Sequence, residues 1–97
     1  MAVQLDAKGL MRFAASLKGR VVRTAGGRAT FRVEATPAGL EYYPTSSGKR
    51  RFQEEAVVER ILKHYAKTAS MRPGDYREIT WNASYTLGLV NRYLSDR

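Results

Sequence analysis

The chain contains no cysteine, so neither a disulfide framework nor a thiolate zinc site can form. It contains one histidine, His64, with no cysteine and no acidic residue placed to make it a catalytic base. A helical surface histidine is the expected role. No apolar run approaches the ~20 residues of a membrane span. Met1 to Lys8 lacks the basic-then-apolar design of a signal peptide, and a cytoplasmic location is the expectation. Walker, GxSxG, HExxH and calcium-loop motifs are all missing. Asn82-Ala83-Ser84 matches a glycosylation sequon, but without a secretion signal the match is empty. Glu54-Glu55 is the only adjacent carboxylate pair, and helical neighbours face about 100° apart, so they do not share a site. These absences point away from an enzyme, and they imply no cofactor and no metal.

Acidic residues are scarce in the first half. Residues 1–51 hold ten Lys and Arg against three Asp and Glu, a net of +7, whereas residues 52–97 hold seven against six. Nearly all of the overall +8 therefore precedes the central helix. A charge so distributed suits a polyanionic partner, nucleic acid first. Ninety-seven residues with ten aromatic positions suit a single small basic domain, 1–97, with a modest core.

The most legible stretch runs from Thr30 to Tyr65. Thr30 to Ala35 alternates, with Phe31, Val33 and Ala35 on one side and Thr30, Arg32 and Glu34 on the other. Thr36-Pro37-Ala38-Gly39 supplies a turn, and Leu40 to Tyr43 alternates again until Pro44, which lacks a ladder N–H. Arg20 to Thr24 is β-favouring, and Ala25-Gly26-Gly27-Arg28 is a hairpin signal in which both glycines can take positive φ. Strands over about 20–25, 28–36 and 39–43 are joined too closely for parallel crossovers, which gives a three-stranded antiparallel meander.

Helices flank it. Met1 to Gln4 reads as a loose end. Asp6 caps a helix over 7–18 with Leu10, Phe13, Ala14 and Leu17 inward and Gly19 as its stop. From Phe52 the period becomes helical, with Val57, Val58, Ile61, Leu62 and Tyr65 as a stripe ending near Lys67. This stripe is expected to cover the sheet, Ile61 and Leu62 above Phe31 and Val33. Glu59 and Lys63 stand as an i, i+4 pair. Pro73-Gly74 fits a type II turn, Tyr76, Ile79 and Trp81 look like loop anchors, and Asn82 is placed to cap a last helix over 83–94. The expected class is α+β, in the order α-β-β-β-α-α: N-terminal helix, meander, long helix on the sheet, C-terminal helix.

Two surfaces stand out as candidate phosphate contacts. Ser46-Ser47-Gly48-Lys49-Arg50-Arg51 joins hydroxyls and three consecutive cations ahead of a helix N-terminus. Arg23, Arg28, Arg32 and Tyr43 belong to the outer sheet face, where arginine beside an aromatic can hold phosphate and stack on a base. The order of three antiparallel strands and a helix, about residues 20–67, resembles the small DNA-binding folds that present a three-stranded sheet to the groove, such as integrase arm-binding domains and plant AP2 domains. The resemblance is one of topology, and it implies DNA, more than RNA, as partner. The families' sequence motifs do not occur, and no residue role is carried over. The alternative is a protein-interaction module or homodimer using Tyr85, Leu89 and Tyr93, a second stripe beside Leu87, Val90 and Leu94 on the last helix.

Overall fold

A computed structural model describes residues 5–96, so the N-terminal residues read as a loose end lie outside it. The chain is α+β, with helices α1 (Ala7–Ser16), α2 (Glu55–Thr68) and α3 (Ala83–Ser95). A short 3-10 turn spans Pro73–Tyr76. The sheet has four strands, not three: β1 (Val22–Arg23), β2 (Thr30–Thr36), β3 (Gly39–Pro44) and β4 (Arg51–Glu54), antiparallel throughout and in sequence order.

The fourth strand is the main correction to the expected order. The sequence pattern places Arg51 to Glu54 in the loop and the start of the helix, because the helical period begins at Phe52. In the structure these four residues pair with β3, Leu40 opposite Gln53 and Glu41 opposite Phe52. The alternation is present but inverted: the polar Gln53 points into the core and Phe52 points out. Gln53 is accepted there because both its amide oxygen and its amide nitrogen are hydrogen-bonded. Its Oε1 accepts from the Tyr42 hydroxyl at 3.0 Å and from Thr86, and its Nε2 donates to Thr80 Oγ1 at 3.2 Å. A buried polar group so satisfied carries no desolvation penalty of the orphaned kind.

All three helices lie on one side of the sheet. Phe31, Val33, Leu40 and Tyr42 turn inward and are fully buried, each such side chain contributing about 1.5–3 kcal/mol of transfer free energy. α1 packs on β2, α3 on β1, and α2 on β3 and β4. The expected seat of Ile61 above Phe31 is therefore not found. Ile61 instead joins Tyr76, Ala83 and Leu87 in a second cluster, and Phe31 is met by Tyr85 of α3, ring centroids 5.2 Å apart and edge-on. α3 is wedged between the clusters, sending Leu87 to one and Leu89 and Val90 to the other.

Local signals were met in part. Asp6 caps α1 by accepting from Gly9 N at 2.7 Å. Glu59 turns from Lys63 to α1, accepting from Ala7 N at 2.9 Å, where the positive end of that helix favours a carboxylate. Asn82 stands at the start of α3, but its side chain makes no capping bond. Of the two turn glycines only Gly27 takes positive φ, at 73°. Pro73-Gly74 opens the 3-10 turn in place of a type II turn; Asp75 N donates to Arg72 O at 3.0 Å and Tyr76 is drawn into the second cluster. Tyr76 and Ile79 anchor that segment, whereas Trp81 does not: it is 79% exposed, with the Arg77 guanidinium 5.0 Å from its ring centre.

Candidate nucleic-acid interface

Because the helices share one side, no element of the described residues covers the other side of the sheet. Alternation assigns to it Arg23, Thr30, Arg32, Glu34, Glu41, Tyr43, Phe52 and Glu54. Arg23, Arg32, Glu34, Phe52 and Glu54 are exposed, and Thr30, Glu41 and Tyr43 are half-buried. Cross-strand pairing sets their order: Arg23 opposite Thr30, Arg32 opposite Tyr43, Glu34 opposite Glu41, Glu41 opposite Phe52.

In a meander, alternate turns fall at the same end of the sheet. The β1–β2 turn, with Arg28, and the β3–β4 loop, with Lys49 and Arg50, are therefore neighbours. Their junction is bonded directly, Thr45 N to Thr30 O at 3.0 Å and Thr30 Oγ1 to Thr45 Oγ1 at 2.9 Å. Arg23 and Arg32 stand at or next to that end, and Glu34 and Glu54 lie toward the other. The face is thus polarised along the strands, basic at the turns and acidic beyond.

Glu41 sits between the two regions and is neutralised locally. The Arg50 guanidinium donates to its carboxylate, and the Tyr43 hydroxyl donates to Oε1 at 3.0 Å. The Arg50 hydrogen bond holds the Glu41 carboxyl below the usual carboxylate range. Partial burial, then the Glu41 carboxylate, pushes the Tyr43 phenol up, so it stays a neutral donor at physiological pH. Arg50 remains 56% exposed and can face solvent anions as well.

The structure brings together Arg23, Arg28, Arg32, Tyr43, Lys49 and Arg50, and separates Arg51 from them. Arg51 is opposite Tyr42, so alternation turns it to the helix side of the edge strand, away from Arg50. The basic loop also does not run into a helix N-terminus. β4 intervenes, about 13 Å of extended chain at ~3.3 Å per residue, and it carries Glu54 and Glu55 away from the cations.

The second stripe on α3 is occupied by the chain itself. Leu89 is 0% exposed. Tyr85 stacks on Tyr42 with centroids 5.4 Å apart, and Tyr93 meets Phe13 edge-on at 5.2 Å. A helix apolar around much of its circumference needed more than one neighbour, and the two clusters with α1 provide them within one chain.

Phe52 is the residue of this face that sequence reasoning missed; its phase with Arg50 and Glu54 was the available signal. His64 is half-buried on α2, edge-on to Tyr76 at 4.7 Å. Among the described residues no group of three or more His, Asp or Glu is placed to hold a metal ion, and no helix is long and apolar enough to cross a membrane. No family model matches the chain, and no curated protein or solved structure matches it.

Proposed function

We propose that the protein is a non-enzymatic nucleic-acid-binding protein, with DNA as the first candidate, acting in the cytoplasm through the open sheet face and the two turns at its basic end. Arg23, Arg28, Arg32, Lys49 and Arg50 neutralise phosphates, and Tyr43 reaches a base. The reading rests on one observation above others: among the described residues three helices pack on the same side and leave a four-stranded face uncovered, with five cations gathered at one end of it. A solvated face with no partner would be served as well by interspersed charge of both signs. Here the signs are segregated, and the carboxylate nearest the cations is already held by Arg50.

Titration of labelled oligonucleotides by fluorescence anisotropy at several salt concentrations tests the proposal. Each phosphate contact adds about 0.9 to the slope of log K against log salt on duplex DNA and about 0.7 on a single strand. A slope of about 3 or more is expected, reduced by about one for each of Arg32→Ala and Lys49→Ala. Binding with no salt dependence would overturn the reading.

A further inference from the structure

Phe52 takes no part in the buried core and offers nothing to a phosphate. It lies on the open face, 38% exposed, in an edge strand whose inward residue is a glutamine. Since it pairs opposite Glu41, it stands diagonally across from Tyr43, within the about 7–8 Å of diagonal sheet neighbours. Arg32 is directly opposite Tyr43 on the other side. Two aromatic rings therefore meet where the basic and acidic regions join: Tyr43 in the row of Arg32, and Phe52 in the next outward row, with Glu41 and Glu34.

Duplex DNA makes poor use of this arrangement. Its bases are stacked and show only their edges, which a ribbon in the major groove reads with polar donors and acceptors. Here the positions around the centre of the face hold Phe52, Tyr43, Glu34 and Glu41. A duplex would also bring two rows of phosphates, and the acidic end of the face would meet one of them. An unpaired strand has neither difficulty. It exposes base faces that can lie on aromatic rings, and its single backbone can follow the cations alone.

We propose that the open face is a platform for single-stranded nucleic acid, with Tyr43 and Phe52 stacking on unpaired bases and Arg32, Lys49 and Arg50 holding the backbone. This rests on the nucleic-acid reading of the same face and specifies its substrate class.

The test titrates the purified chain against labelled oligo(dT), oligo(U) and a blunt duplex of the same length at one salt concentration. Tighter binding of a single strand than of the duplex is expected, by about tenfold. Phe52→Ala should weaken single-strand binding about fivefold or more, the lower end for loss of one base stack. It should leave both the salt slope and duplex binding unchanged. Phe52→Trp should retain single-strand affinity. Phe52 lies outside the core, and a thermal melt matching the parent's checks that each variant is folded. Duplex binding as tight as single-strand binding, with Phe52→Ala indifferent, overturns the single-strand assignment while the nucleic-acid reading stands. Absence of binding to all three probes overturns both.

Discussion

Gly88 of α3 rests directly on the backbone of Arg23 in β1: a methyl group on it would lie 2.2 Å from the Arg23 carbonyl oxygen and 2.9 Å from Thr24 Cα. Beside it, Ala25 N donates to Ser84 O at 3.1 Å. The helix is thus clamped to the strand whose other side presents Arg23. Gly88→Ala should destabilise the protein by about 1–3 kcal/mol, although alanine raises helix propensity by about 1 kcal/mol. Urea unfolding measures the difference, and a more stable variant would mean that the approach is looser than described.

Tyr42, Gln53 and Thr86 form a closed triangle of buried oxygens, in which two hydroxyl protons serve three contacts. Thr86→Val conserves shape and removes one hydroxyl. It should cost about 1–3 kcal/mol, because Gln53 Oε1 and the Tyr42 hydroxyl lose a partner where water cannot replace it. Combining it with Tyr42→Phe should cost less than the sum of the single changes. Additive losses in denaturant unfolding would mean that the three groups do not act as one network.

The same tyrosine sets an alkaline limit. Burial raises the Tyr42 pKa above its ordinary 10.0, so the folded state keeps a proton that the unfolded state gives up. Tyr42's contribution to stability is therefore fully present below about pH 10 and declines above it, the slope being negative because the unfolded state binds fewer protons. Stability measured from pH 8 to 11 should fall at the upper end, and Tyr42→Phe should show a shallower fall. Equal slopes would locate the alkaline loss elsewhere.

How far the sequence disclosed this fold depends on whether a segment's polarity followed its burial. β2 and β3 were readable because Phe31, Val33, Leu40 and Tyr42 alternate with polar residues and do point inward. β4 was not, since a satisfied glutamine took the inward position and a phenylalanine the outward one. Leu89 reads as part of a spare second stripe because the sequence pattern does not show a second cluster, and the cluster around Ile61 and Tyr76 appears only once the 3-10 turn is in place. At the site, residue types were legible but sides were not: Lys49-Arg50-Arg51 reads as one cluster in one dimension and splits across an edge strand in three.

That split gives a direct comparison. Arg50 and Arg51 are adjacent in sequence, but only Arg50 belongs to the open face. Arg32→Ala should lower the magnitude of the salt slope by about one unit, and Arg51→Ala should change it less. Equal effects of the two substitutions would place the bound backbone around the sheet edge instead of across the face.

Glu41 restrains the site it helps to build, because its carboxylate occupies Arg50. Glu41→Gln removes a negative charge from the face and releases that guanidinium, so affinity should rise by about fivefold, a gain of about 1 kcal/mol. Weaker binding by anisotropy would show that Arg50 needs Glu41 to be positioned.

Where the nucleic acid lies is the central question, and backbone amide chemical shifts followed by NMR during titration with oligo(dT) answer it most directly. The account predicts that the perturbed amides belong to Arg23, Arg28, Arg32, Tyr43, Lys49, Arg50 and Phe52, while Arg60, Lys63 and Lys67 on α2 stay in place. Perturbations concentrated on α2, with the open sheet face silent, would contradict it.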